Sequence, residues 1–226
     1  MESHFETGIE NLRQKLLAMA SHTEKSVNDA VQALTQRDHA LALRVKGGDD
    51  VIDRCEMEID ELAISLLTKA PLASNLRLVT VAMKISQDLE RIGDEASKIA
   101  KRARDLSQEP PVKLQLELPR MAALAIEMLK AALDAFVNRD PAAARAMIPR
   151  DTEVNALHKQ IQAALIKHMT ENPDAIARCL HWLTATKSLE RIADHATNIA
   201  EDVVYLCEAE DIRHTSFTKQ GVADTP

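Results

Sequence analysis

The chain has 226 residues and a formal net charge of −7; 46% of its residues are hydrophobic and only 2% are aromatic. A chain of this length buries a substantial core, as one domain of repeated units or as two small domains. The acidic balance and the lack of a basic, aromatic-flanked cluster argue against a nucleic-acid-binding surface.

The cysteines and the first residues of the chain indicate the cellular compartment of the protein. Cys55, Cys179 and Cys207 are odd in number and have no CxxC spacing, which favours reduced, mostly buried thiols. The segment MESHFETGIENL lacks the basic and apolar regions of a signal peptide. No apolar run approaches the ~20 residues that span a bilayer. We therefore expect a soluble, cytoplasmic protein that meets a membrane only through partners.

Three helices are predicted in the first half of the chain. Asp38 is a plausible N-cap, the pair Gly47-Gly48 interrupts the second helix, and Ser74 caps the third. From the spacing of apolar residues, the predicted helices cover residues 6–36, 38–69 and 74–106.

The second half repeats this plan after a predicted linker at residues 107–111. Asp140-Pro141 is a cap followed by proline at the first helical position, and Pro149 breaks the helix where Gly47 does, 102 residues earlier. Asn172-Pro173 opens the last helix. The predicted helices cover residues 114–138, 140–171 and 172–208.

A repeated sequence segment indicates that the two halves arose by duplication. LERIGDEASKIA at residues 89–100 returns as LERIADHATNIA at residues 189–200, with eight of twelve positions identical. Apolar residues recur every seven positions from Leu78 to Leu106, the pattern of near-parallel helix bundles. We predict an all-α protein of six long helices, a tandem duplication of a three-helix bundle. The predicted units are residues 1–108 and 109–211, followed by a mobile tail at residues 212–226.

Paired acids recur in both halves and are the candidate functional residues. Glu90 and Asp94 lie one helical turn apart, as do Glu190 and Asp194, on a flank that faces away from the apolar seam. Like charges so placed destabilise a helix by roughly 0.2–0.5 kcal/mol, a cost that a bound cation offsets.

The preceding helix of each half carries matching polar residues, and we expect them to face the acids across a surface groove. Oxygen-only donors suit Mg, Mn or Fe, as divalent or ferric ions, and the lack of His and Cys disfavours structural zinc. Asn198 adds a further oxygen donor, where the first half has Lys98. The candidate metal-binding residues are Asp49, Asp53, Glu90, Asp94, Asp151, Asn155, Glu190, Asp194 and Asn198.

Other residues are assigned structural roles. His195 is expected to be a solvent-exposed helix residue, and Arg91 and Arg191 to be surface ion-pair partners. Trp182 lies on the apolar seam and is expected to pack in the core.

The doubled LERI-[GA]-D helix, the SNLRLVTVAMKI run and the GDD…EMEIDE segment resemble the PhoU family of bacterial phosphate-signalling regulators. The resemblance implies two three-helix bundles, a homodimer, and metal clusters held by E/D-x-x-x-D motifs on the bundle surface. It also implies negative regulation that links the high-affinity phosphate ABC transporter, through its ATPase subunit, to the PhoR-type histidine kinase. Asn155 departs from the acidic pattern and lowers the charge of the second site by one.

Three functions are therefore weighed. The first is a non-enzymatic regulator with surface metal sites. The second is a structural helical scaffold whose acids are merely solvated. The third is a carboxylate-bridged metalloenzyme, which is disfavoured because no glutamate is followed three residues later by a histidine.

Overall fold

The computed structural model describes the backbone of residues 2–68 and 73–213, and the side chains of residues 5–68 and 75–213. Within those ranges the chain forms α-helices and no β-strand, so the all-α prediction is confirmed. The helices are α1 (Glu2–Gln36), α2 (His39–Gly47), α3 (Asp49–Leu67), α4 (Ala73–Ser107), α5 (Leu118–Asn138), α6 (Pro141–Met147), α7 (Asp151–Glu171) and α8 (Ile176–Glu208).

The predicted six long helices are present, two of them divided in two. The break at Gly47-Gly48 separates α2 from α3, and a 3₁₀ turn at Ile148–Arg150 separates α6 from α7. Two of the predicted caps form: the Asp38 carboxylate accepts a hydrogen bond from the Leu41 amide at 2.9 Å, and that of Asp140 accepts one from the Ala143 amide at 3.0 Å. Each cap satisfies an amide at the start of a helix that has no partner within that helix.

Four predicted boundaries need correction, and the first is that α1 begins at Glu2 rather than residue 6. Helix α5 begins at Leu118 rather than residue 114, with Pro119 in its first turn, where a missing amide proton costs nothing. Residues 173–175 form a 3₁₀ turn, so α8 begins at Ile176. Helix α4 begins at Ala73, one residue before the predicted cap. The predicted turn around Pro71 and most of the predicted tail, residues 214–226, lie outside the described residues.

The apolar seams form the core. Ile85, Ile92 and Ile99 of α4 are fully buried, as are Leu189, Ala196 and Val203 of α8. Trp182 packs against this core but is only partly buried, so its predicted place in the core is confirmed in part. The heptad spacing therefore gives the correct inward face of both central helices.

The two halves are joined through their central helices. In the first half α1, α3 and α4 pack together, in the second α5, α7 and α8, and α4 packs along α8. Residue numbers fall along α8 as they rise along α4, since Lys84 pairs with Asp202 at 3.1 Å and Arg102 lies 3.2 Å from His181. The two helices are thus antiparallel, and one continuous core of buried side chains runs through both halves. No described helix is long and apolar enough to cross a membrane.

Candidate metal centre

The first acidic groove lies where α3 packs on α4. Asp49 and Asp53 are one turn apart on α3, and Glu90 and Asp94 are one turn apart on α4. Gly93 permits the close approach of the two helices, because a Cβ atom there would lie 2.8 Å from Ile52 Cδ1 and 3.8 Å from Asp49 Oδ1. The contact places the start of α3 beside the middle of α4.

Electrostatics show that the four predicted acids of this groove lie near one another. Burial raises the pKa of Asp49, and the charges of Asp53 and Asp94 raise it further. Burial also raises the pKa of Glu90, with Asp94 the largest charge acting in the same direction. A carboxyl group whose neighbours are carboxylates holds its proton more tightly. Arg91 partly compensates, lying 3.4 Å from Glu90 and 4.0 Å from Asp94.

A fifth carboxylate, Glu56, also faces this groove and was missed by the sequence analysis. Burial raises its pKa, and the charges of Asp60 and Asp53 add to the effect. Glu56 in turn raises the pKa of Glu90 on the facing helix. It lies three residues after Asp53 and seven after Asp49, so the helical spacing that identified those two also identifies Glu56.

The second acidic groove lies between α7 and α8 and has the same plan. Burial and the charge of Glu190 raise the pKa of Asp151. Asp194 is exposed as a residue, but partial burial of its carboxyl group, with the charges of Glu190 and Asp151, raises its pKa to about 6. The Glu190 carboxylate therefore lies near both Asp151 and Asp194.

Asn155 and Asn198 are placed differently from the acids. The Asn155 amide donates a hydrogen bond to the Asp151 carboxylate at 2.6 Å. Asn198 donates one to Asp88 at 3.3 Å, on the side towards the first half. A cleft of about 290 Å³ adjoins these side chains and is lined by Asp151, Asp194, Thr197, Asn198, Glu201 and Arg213.

Two sequence expectations about exposure are modified. His195 is not a free surface residue: it is half-buried and its Nδ1 lies 2.8 Å from the Asp88 carboxylate, so that prediction was wrong. Its position on α8 faces α4, and packing of the two halves covers it. Glu90 and Glu190 lie outside the core but keep only 20% and 13% of their side-chain surface exposed. They therefore line grooves rather than an open helix face.

Buried oxygen atoms at both grooves test whether the residues suit a cation. Asp151 Oδ1 and Thr197 Oγ1 are buried without a hydrogen-bond partner, and so is Ser97 Oγ, the equivalent of Thr197. Ser97 lies close enough to Asp49 to lower its pKa, but the two do not form a well-aligned hydrogen bond. Unsatisfied buried oxygens are uncommon in folded proteins and are often explained by a bound water or ion.

The candidate metal-binding side chains nevertheless do not surround a common point in either groove. Among the described side chains, no three of the His, Cys, Asp and Glu type stand in a ready metal-binding arrangement. The side-chain oxygens of both grooves suit a hard cation in their type, their charge and their lack of hydrogen-bond partners. To coordinate such a cation together, the side chains would have to rotate.

The fold and the paired grooves define a class: a duplicated helical bundle with an acidic groove in each half. A protein-family model described as PhoU domain matches residues 16–103 and 118–203, once in each half. A curated relative from Pseudomonas aeruginosa is 41% identical over 221 residues, covering 97% of this chain and 91% of the relative. One from Aquifex aeolicus is 34% identical, covering 94% and 97%. Both carry the description "Phosphate-specific transport system accessory protein PhoU homolog".

Crystal structures of two PhoU proteins are similar to the structure of this chain. The structure of PhoU from Pseudomonas aeruginosa superposes with a TM-score of 0.89 at 42% identity, covering 91% of this chain and all of the other. The phosphate transport system regulatory protein PhoU from Streptococcus pneumoniae gives 0.85 at 27% identity, covering 92% and 99%. The chain belongs to the PhoU family.

Proposed function

We propose that the protein is a non-enzymatic negative regulator of phosphate uptake and of the phosphate-starvation response. In this role it acts in the cytoplasm as a homodimer and couples the high-affinity phosphate ABC transporter to a PhoR-type histidine kinase. The observation that carries the proposal is the family match in both halves, together with relatives named as accessory proteins of phosphate transport.

The two acidic grooves are proposed to bind divalent or ferric ions. The residues proposed to hold an ion in the first half are Asp49, Asp53, Glu90 and Asp94. Those proposed for the second half are Asp151, Asn155, Glu190, Asp194 and Asn198. Burial, with the charges of neighbouring carboxylates, raises the pKa values of Asp49 and Asp194. A bound cation would supply positive charge that removes the repulsive part of this effect. Because each groove joins two helices, ligands from both would fix α3 against α4 and α7 against α8.

Docking on the transporter ATPase subunit and on the kinase is proposed to use helix faces. Long helices present rigid surfaces, and exposed apolar side chains such as Met57 and Ile64 lie seven residues apart on α3. Contact with a membrane would then be indirect, through these partners.

A cellular experiment tests the regulatory proposal. Deleting the gene is expected to raise alkaline phosphatase expression in phosphate-rich medium, and restoring it to repress the enzyme again. Unchanged expression in the deletion strain contradicts the proposal. Co-purification of the tagged protein with the ATPase subunit and with the kinase, each expressed singly, identifies which partner it contacts.

A scaffold without metal is the second candidate, and specific contacts favour it. Lys187 pairs with Glu190, Arg91 pairs with Glu90, and Asn155 occupies one oxygen of Asp151. These partners partly neutralise both grooves without an ion. Metal content of the purified wild type and of Glu90→Ala/Asp94→Ala separates the candidates: a loss in the variant supports binding, and equal or zero content in both supports the scaffold.

A further inference from the structure

The outer face of the α7–α8 hairpin continues beyond the acidic groove towards the turn that joins the two helices. Helices α7 and α8 pack together and are connected by the short segment at residues 172–175, so they are antiparallel. Asp151, at the start of α7, lines the same cleft as Asp194, near the middle of α8. The part of the hairpin between this cleft and the turn is therefore a further stretch of paired helix surface.

Three large apolar side chains are exposed on this stretch. Ile166 on α7 keeps 47% of its surface exposed, and Ile176 and Leu180 on α8 keep 42% and 52%. The equivalent residues of the first half, Ile64 and Leu76, are exposed as well. Single exposed apolar residues need no explanation, but their recurrence at the same places in both halves indicates a surface that contacts another molecule.

The exposed apolar residues share a helix face with the acids. At 100° per residue, Leu180 and Asp194 both lie within about 40° of Ile176 around the axis of α8. Ile166 lies about 60° from Asp151 around the axis of α7 by the same measure. The hairpin thus presents one strip about 27 Å long, at a rise of 1.5 Å per residue.

We call this surface the hairpin strip and define it by its two ends. Its apolar end, near the turn, consists of Ile166, Ile176 and Leu180, and its acidic end consists of Asp151, Glu190 and Asp194.

The acidic end keeps negative charge that the chain does not neutralise. Glu190 pairs with Lys187, but among the described side chains Asp151 and Asp194 form no ion pair. Arg213 lines the adjoining cleft, yet its guanidinium pairs with a carboxylate two residues away. A molecule that covers the whole strip therefore has to bring positive charge to one end and apolar groups to the other.

This requirement selects among the molecules that could cover the strip. The same strip of a second copy of this chain has carboxylates and apolar side chains but no basic end. A membrane with anionic lipids would be repelled by the carboxylates. An amphipathic helix with basic side chains towards one end meets both requirements, and packing such a helix along two antiparallel helices is a common mode of recognition.

We propose that the hairpin strip binds an amphipathic helix of a partner protein. Apolar side chains of that helix pack on the apolar end, and Lys or Arg side chains on the same face pair with the acidic end. The length of the strip corresponds to about 18 helical residues. This inference rests on the partner docking proposed above and goes further, because it assigns a surface and the chemistry of the partner segment.

Binding of a synthetic peptide to the purified full chain tests this chemistry. The probe is a fluorescein-labelled helical peptide of about 18 residues, with Leu along one face of its first half and Lys along the same face of its second half. Fluorescence anisotropy is measured in chelator, because a metal ion would compete for the carboxylates. Leu180→Asp is expected to weaken binding at least about tenfold. A peptide with Glu in place of Lys should bind the wild type at least about tenfold more weakly, and added salt should weaken binding of the Lys peptide.

The control is Val137→Asp, since Val137 is 45% exposed on α5, which is not part of the hairpin. It should bind the Lys peptide as the wild type does, and thermal unfolding of each variant verifies folding. Equal affinity of Leu180→Asp and the wild type overturns the proposal, and so does equal affinity of the wild type for the two peptides. The comparison of peptides needs no variant and holds even if Leu180→Asp fails to fold.

Co-purification with the separately expressed ATPase subunit and kinase relates the strip to the proposed function. Leu180→Asp should lose a partner that the wild type and Val137→Asp retain; if it retains that partner, the strip is overturned while the regulatory proposal stands. Sedimentation tests the second copy: a dimeric wild type, a monomeric Leu180→Asp and no peptide binding would assign the strip to self-association and overturn the proposal. Failure of the regulatory proposal shows separately, in alkaline phosphatase expression.

Discussion

The two acidic grooves share one helical plan but differ in charge and in the residue at the contact of their two helices. The first has glycine at the helix contact, Gly93, and five carboxylates; the second has Ala193 and three. Lys98, equivalent to Asn198, pairs with Glu95 at 2.9 Å and so does not neutralise the first groove. The first half therefore concentrates negative charge at the glycine contact, while the second replaces part of that charge with neutral donors.

This difference teaches that a duplicated motif does not imply duplicated sites. The order of the helices and the spacing of the polar residues are retained, and substitutions such as Asp53 to Asn155 change the chemistry that those positions present. If cations bind, the first groove gains the most from neutralisation, because repulsion among carboxylates grows with their number.

The largest expected effect is on metal-dependent stability. An ion at a hundred times its dissociation constant stabilises the fold by about 2.7 kcal/mol per site. Asp49→Asn/Asp94→Asn should lose this gain in the first groove, and Asp151→Asn/Asp194→Asn in the second, with the larger loss in the first. Urea unfolding with Mn²⁺ and with chelator measures it. A wild-type response in both double variants contradicts the comparison, and Asp134→Asn on the exposed face of α5 is the control.

Enlarging Gly93 should affect the first half alone. In Gly93→Val the added atoms would meet Ile52, whose Cδ1 lies 2.8 Å from the position of a Cβ. Overpacking of this kind costs about 1–3 kcal/mol and should move Asp49 away from Asp94. We expect lower stability by urea unfolding, with weaker Mn²⁺ binding at one site only.

The control for Gly93→Val is Ala123→Val on the exposed face of α5, which introduces the same side chain without a clash. If Gly93→Val loses no more stability than this control, the proposed close approach of α3 and α4 does not determine the groove.

The stability of the metal-free protein should depend on pH through the ionisation of Asp194. Its pKa of about 6 in the folded state lies above the ordinary value of 3.8, so between these values the folded protein binds more protons than the unfolded chain. Stability should therefore fall as the pH rises through this window. Asp194→Asn should gain about 1 kcal/mol at pH 7, allowing for solvent screening of an exposed group, and nothing at pH 4.

Urea unfolding of Asp194→Asn and wild type at both pH values, in chelator, makes the measurement. With a bound ion the order should reverse at pH 7, since the wild type then retains a ligand that the variant lacks. A variant that is less stable than the wild type at pH 7 in chelator would contradict the repulsion inferred at this groove.

The smallest expected effect concerns Asn155. Asn155→Asp removes a hydrogen bond to Asp151 and places two carboxylates one turn apart, which together should cost about 0.5–1 kcal/mol without metal. The same change should raise Mn²⁺ affinity in the second groove, bringing it closer to the first. Gln160→Glu adds the same charge to an exposed part of α7 away from the groove and should do neither. Calorimetric titration of both variants with Mn²⁺ measures these affinities.

The sequence alone was enough for the duplication, the helices and the inward faces of the central pair. Heptads such as Ile85, Ile92 and Ile99 are set by local periodicity, and the caps Asp38 and Asp140 act within one turn of their own helix. The paired acids were also found this way, because residues four apart share a face wherever the helix lies.

What the sequence did not reveal depends on how one helix lies against another. The burial of His195 against Asp88 arises from the antiparallel packing of α4 on α8, two segments about 100 residues apart. Glu56 was missed although its spacing from Asp49 was visible, because only the facing helix shows that this side borders a groove. Periodicity fixes the direction of a side chain about its own axis; the distance and rotation between helices are decided by close-packed contacts such as Gly93 on Ile52.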